Sequence, residues 1–166
     1  MNNFFINMAN MLRLRGGPQA FSDSWQLTII LVAIYLVQNL VMGSQLDDSD
    51  AAAKSLLAIS LQVIVLVGLL NWRHHPERFA QTLSALAAVG IVFNLVTWAL
   101  LTQSEPDVNQ PALAMIWFAV FIWSLFVDAN IYRHALQVSL SIGVLISVIT
   151  LAVSYSLIET IFLGSG

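Results

Sequence analysis

Ionisable residues are so sparse in this chain that they cut it into five long apolar runs. Trp25 to Met42 and Ser55 to Trp72 are each eighteen residues without a charge. Phe79 to Gln103 runs for twenty-five, Pro111 to Val127 for seventeen, and His134 to Ile158 for twenty-five with no Asp, Glu, Lys or Arg. A helix crosses a bilayer of about 30 Å with roughly 17–25 mostly apolar residues. The hydrocarbon core cannot hydrogen-bond backbone N–H and C=O groups, so such runs must be helical there. Barrel strands would alternate apolar and polar residues, which these runs do not. The expected fold class is therefore all-α, a polytopic transmembrane helix bundle with five spanning helices over about 25–42, 51–72, 77–102, 111–128 and 135–163.

Composition narrows the function classes. The chain has 166 residues, 58% hydrophobic and 9% charged, against about 25% charged in an average soluble domain. Six Lys and Arg cannot form a basic face, which argues against a nucleic-acid partner. With no Cys, disulfides, thiolate metal sites and thiol nucleophiles are excluded.

Start signals stand at the run boundaries. Ser22, Asp23 and Ser24 precede the first run, and Ser49 and Asp50 precede the second, where short oxygen side chains can cap free N–H groups. Pro76 and Pro111 open the third and fourth. The stretch from Asp128 to His134 is read as the turn between the fourth and fifth runs, although it holds no Gly or Pro.

Charge placement sets the orientation. Arg13 and Arg15 precede the first run, Arg73 and Arg78 lie between the second and third, and Arg133 lies between the fourth and fifth. The other two loops hold Asp47, Asp48, Asp50, Glu105 and Asp107, with Lys54 as the one nearby base. Basic residues mark the cytoplasmic face. The expected topology is N-terminus in, five crossings, C-terminus out.

Residues 1–17 read as a separate amphipathic helix at the cytoplasmic surface, ahead of a transmembrane domain over 18–166. Phe4, Phe5, Met8, Met11 and Leu12 fall on one helical face, and Gly16-Gly17-Pro18 stops the helix. Such a face can lie in the membrane surface; the alternative is that it packs on the protein's own helices. The segment is not read as a cleaved signal peptide, because its charges follow the apolar part.

Three segments carry a resemblance: Arg13-Leu14-Arg15-Gly16-Gly17-Pro18-Gln19, then the stretch from Arg78-Phe79-Ala80 to Leu86, then Tyr132-Arg133-His134-Ala135-Leu136. Their order and spacing resemble a family of small multi-pass inner-membrane proteins of proteobacteria, itself loosely similar to Yip1-type membrane proteins. The resemblance implies a bacterial inner-membrane location and brings no activity with it.

Few side chains invite a chemical role. His74, His75 and His134 share the expected cytoplasmic face and could meet zinc with Asp128 or Glu77, but adjacent histidines diverge and chelate poorly, so no metal site is assigned. No cofactor is expected either. Asp128 ends the expected fourth helix near Arg133, and a structural ion pair across the turn is expected, with a proton relay as the alternative. Gly90, Asn94 and Thr97 form a small and polar stripe suited to close helix contact, or to lining a narrow polar path. Gln38, Asn39, Gln62 and Gln137 are further polar residues that must find partners. Trp117, Phe118, Phe121 and Trp123 make the fourth run aromatic, a face for lipid or another subunit. There is no phosphate loop, nucleophile elbow or His-Glu-x-x-His motif, so no enzyme is expected. The expectation is an accessory, scaffold or assembly subunit that contacts lipid and other membrane subunits or its own copies; the alternative is a small oligomeric transporter or channel subunit. Against the transporter reading, no charge falls near the bilayer midplane of the expected helices.

Overall fold

The computed structural model of the chain describes residues 2–45, 50–104 and 109–162. Among these, all regular structure is helical. A short helix α1 (Asn2–Leu12) is followed by five long ones: α2 (Trp25–Gln45), α3 (Ala51–Trp72), α4 (Phe79–Leu101), α5 (Pro111–Leu136) and α6 (Leu140–Phe162). The five long helices are each apolar and long enough to cross a membrane. Asp47, Asp48, Glu105, Asp107 and Leu163, which figure in the sequence reading, lie outside the described residues.

Local chemistry accounts for most of the boundaries. Ser24 Oγ accepts from Leu27 N–H at 3.5 Å and opens α2. Pro111 takes the first turn of α5, where its missing N–H costs no hydrogen bond. Pro76 does not start α4 directly; Pro76–Arg78 forms a single 3₁₀ turn that feeds into it. Asp50 stands at the N-cap of α3 without a side-chain cap bond.

The expected turn over 128–134 is absent. With no Gly or Pro to break it, α5 continues to Leu136. It stops where Gln137 takes left-handed backbone angles (φ 54°, ψ 49°) and its N–H turns back to Arg133 O. Two arginines from a distant segment then hold the end. Arg78 Nη1 donates to Ala135 O at 3.1 Å and His134 O at 3.4 Å, and Arg73 Nε donates to Leu136 O at 3.1 Å. The Gln137 amide, oriented with its oxygen inward, accepts from Arg78 at 2.6 Å and 3.1 Å. Ser139 Oγ then accepts from Ile142 N–H at 3.4 Å and opens α6. Arg73 and Arg78, two of the five basic residues of the expected cytoplasmic face, therefore cap the C-terminal end of α5.

Helix α4 is the hub. Its first half is rich in small residues, and Ala80 and Thr82 through Val89 are all buried, which lets neighbouring backbones approach closely. The Thr28 and Ser84 hydroxyls share a 2.8 Å hydrogen bond that locks α2 to α4. Gly143 of α6 lies directly against the Ala129 backbone of α5, the most extensive helix contact in the chain. The outer surface, by contrast, is apolar: Ile29, Ile64, Met115, Phe118 and Leu145 are each more than half exposed. That distribution inverts a water-soluble domain and suits helices surrounded by lipid.

Helix α1 uses its apolar face inward. Met11 is fully buried, and Phe4, Met8 and Leu12 pack against the core, while Phe5 stays 60% exposed. Four of the five residues expected at the membrane surface thus meet the protein itself. The chain then climbs beside α5: Leu12 O accepts from Trp123 Nε1 (3.0 Å), Gly16 O from Asn130 Nδ2 (2.8 Å), and Gln19 Nε2 donates to His134 O (2.7 Å). Gly17 is needed in this path, because a Cβ there would come within 2.7 Å of the His134 side chain.

Candidate functional site

The extension of α5 moves Asp128 from a helix end to a helix interior. Eight residues separate it from Leu136, which is about 12 Å of helix. The expected ion pair with Arg133 does not form. Five residues along a helix rotate a side chain by roughly 140° net, so the two point to different faces; Arg133 is exposed. Among the described residues Asp128 has no ion-pair or hydrogen-bond partner.

On α5 the carboxylate shares a face with Ser124 and Tyr132, four residues to either side. Each of the other four long helices brings a polar side chain to that face. Tyr35 comes from α2, Gln62 from α3, Asn94 from α4, and Ser147 and Thr150 from α6. Counted from the helix ends at the arginine-capped end of the bundle, Tyr35, Gln62 and Thr150 are each ten residues in, or about 15 Å. Ser124 is about 18 Å in and Asn94 about 22 Å by the same rise. Five helices therefore deliver polar groups to a band about 10–22 Å from those ends, with the carboxylate among them.

Two cavities meet there. One, of about 160 Å³, lies among α2, α3, α4 and α5 and is lined by Tyr35, Gln62, Asn94, Ser124 and Asp128 among apolar neighbours. The other, of about 220 Å³, lies among α2, α3, α5 and α6 and takes in Tyr132, Ser147, Thr150 and Ser154. Tyr35, Gln62, Ser124 and Asp128 belong to both, so the carboxylate stands on the partition. The Tyr132 hydroxyl lies within reach of Gln62 and Thr150. Asn94 Nδ2 and Ser147 Oγ are buried with no hydrogen-bond partner among the described residues. Orphaned polar atoms of this kind call for water or a ligand.

The expected stripe on α4 is partly absorbed into this site. Gly90 lets the Tyr35 ring lean on α4, since a Cβ there would stand 2.7 Å from ring atom Cε2. Asn94 lines the cavity; Thr97, a turn further on, does not. The histidines are dispersed. His75 bonds Glu77 at 3.2 Å, His134 covers Gly17, and His74 occupies a left-handed position at φ 58°. No group of three or more metal-ligating His, Cys, Asp or Glu exists among the described residues. The aromatic run on α5 divides: Trp123 meets Phe93 edge-on at 5.1 Å and bonds α1, whereas Phe118 stays exposed.

Tyr35, Ser124, Tyr132 and Thr150 were not singled out by sequence reasoning. The Ser124-Asp128-Tyr132 spacing was a usable signal, but only once the helix was known to continue through it. Compared with known protein families, curated proteins and solved structures, the chain matches none.

Proposed function

We propose that the chain is a non-enzymatic integral protein of the bacterial inner membrane that handles a small solute at its midplane, as a transporter or channel subunit. On this reading the positive-inside rule assigns Arg73, Arg78 and Arg133 to the cytoplasm, and Lys54, beside Phe162 at 5.7 Å, lies on the far side. The N-terminal segment is then a wedge that enters the membrane beside α5, since Leu12 O meets Trp123 about 20 Å from the end of α5. Phe5 and Ile6 meet lipid, and Arg13 and Arg15 reach back to the headgroups on long stems. The observation that carries the reading is the unpaired Asp128 carboxylate, set among polar groups from all five spanning helices. About 12–18 Å from the helix ends is the middle of a hydrocarbon core of about 30 Å, the level where solute and coupling-ion sites of carriers lie. An intramembrane carboxylate is expensive to bury and marks function more often than packing.

Reconstitution into liposomes tests it. Flux of a small cation or of protons, present in the native protein and lost in Asp128→Asn, supports the reading; equal flux in both removes Asp128 from it. Accessory or scaffold action is the second reading. It is favoured by the exposed ridge of Met115, Phe118 and Phe126 on α5, which is free to meet another membrane helix. A stoichiometric membrane partner retained in mild detergent, and released by changing Phe118 to Ala, would support that use of the ridge.

A further inference from the structure

The Asp128 carboxylate, when ionised, is the one formal charge in the lining of its site, and no described residue there neutralises it. Titratable groups facing the carboxylate are the phenols of Tyr35 on α2 and Tyr132 on its own helix. From α3, α4 and α6 come only Gln62, Asn94 and the hydroxyls of Ser147 and Thr150. No Lys, Arg or His lines either cavity. A lone carboxylate away from bulk water reaches neutrality by one of two routes, taking up a proton or holding a cation.

We propose that the two cavities joined at Asp128 bind one partly hydrated monovalent metal cation in exchange for the carboxyl proton. The inference rests on the membrane-embedded placement of the site described above. Charge sets the valence: one carboxylate balances one positive charge, and a divalent ion would leave an excess in a low-dielectric setting. Donor chemistry sets the class. Carboxylate, hydroxyl and amide oxygens are hard ligands, and with neither His nor Cys in the lining a soft transition metal has no preferred donor. Size sets the hydration. Cavities of about 160 and 220 Å³ exceed a bare ion many times over, and each retained water occupies roughly 30 Å³. Water in these cavities also answers the orphaned atoms: Ser147 Oγ can accept from an ion-bound water, whose hydrogens point away from the cation, and Asn94 Nδ2 can donate to a further water that is not bound to the ion.

The exchange balances without a further reactant. The Asp128 O–H bond breaks and the proton leaves to bulk water. The resulting carboxylate oxygen coordinates the cation, and the site is neutral before and after.

The experiment uses the purified full-length protein in mild detergent and weak buffer, with a pH indicator present. Sodium, potassium or N-methylglucamine chloride is added at matched ionic strength. Release of about one proton per chain with sodium or potassium is expected, and none with N-methylglucamine. Asp128→Asn should abolish the release while keeping native helicity and monodispersity. Ser124→Ala should weaken the apparent affinity about tenfold, the loss of one ligand; it keeps the test decisive where Asp128→Asn fails to fold. Equal release with N-methylglucamine, no release with any salt, or undiminished release in Asp128→Asn would each overturn the proposal. Flux in liposomes is measured separately. Cation-linked proton release without flux upholds this site and removes the carrier reading; flux without such release removes the site and leaves the carrier.

Discussion

Replacing Arg78 by Gln should be among the most damaging single changes at the arginine-capped end of the bundle. The guanidinium donates to Ala135 O at 3.1 Å and more weakly to His134 O at 3.4 Å, and the Gln137 amide oxygen lies 2.6 Å from it. Ala135 is fully buried, so its carbonyl has no water to fall back on. Hydrogen bonds to a charged group contribute about 1.5–3 kcal/mol each. The two short ones set a ceiling of about 3–6 kcal/mol on that scale, and a glutamine amide can recover roughly one of them. A loss of about 1.5–3 kcal/mol is therefore expected. The Glu77 contact adds little: it is 3.8 Å long and Glu77 is 63% exposed. Arg133→Gln is the control, because Arg133 is exposed and caps nothing; its effect should stay within about 0.5 kcal/mol. Reversible unfolding in mixed micelles of mild detergent and SDS, followed by far-UV circular dichroism, measures both. Equal effects of the two substitutions, or an Arg78→Gln protein as stable as the native one, would refute the capping role.

Glycines give a matched pair. Gly143→Ala should cost about 1–3 kcal/mol, because its Cβ would meet the Ala129 backbone, which cannot swing aside. In α3, Gly68→Ala has nothing within 4 Å of the new Cβ and should be neutral or stabilising by up to about 1 kcal/mol; the same unfolding assay reads both signs. Gly90→Ala puts a Cβ 2.7 Å from the Tyr35 ring, which must shift; a cost of about 1–3 kcal/mol is expected together with a weaker cation response at Asp128, read by running the unfolding and proton-release assays on one preparation. His74→Gly should stabilise by about 1 kcal/mol, since a histidine at φ 58° bears left-handed strain that glycine does not; a lower unfolding midpoint would contradict that.

The long helices were legible in the sequence because hydrocarbon leaves a backbone so few choices. Trp25, Ala51 and Pro111 start helices where the runs and their flanking residues put them. The fourth boundary was not legible, for a physical reason. Asp128, Arg133 and His134 looked like a loop because charges gather in loops, yet a charge does not break a helix. What ends α5 is the left-handed Gln137 together with Arg73 and Arg78, whose bonds to the α5 end span 56 to 63 residues of sequence. No local window contains that contact. The same displacement hid the site, since Asp128 gains its neighbours only when the helix carries it inward. In α1 the periodicity grouped Phe4, Phe5, Met8, Met11 and Leu12 on one face, of which Phe5 is exposed and the other four pack on the core; periodicity names no partner, and the contacts are with α4 and α5. The polar residues Gln62 and Asn94 were visible one by one. Their convergence depends on the rotation of each helix, which composition does not encode.

The depth of Asp128 in the bilayer is the claim on which the rest depends, and the chain's lack of cysteine makes it directly measurable. Phe126, two residues away and 42% exposed, faces outward at nearly the same level. A nitroxide attached to a single cysteine at Phe126, and another at exposed Arg133, can be compared in lipid vesicles for access to oxygen and to a water-soluble nickel chelate. The expected result is that the Phe126 label is rich in oxygen and shielded from nickel, about 15 Å from the inner helix end, while the Arg133 label is open to nickel. Equal nickel access at both positions would place Asp128 at the headgroups, and the midplane site would fall.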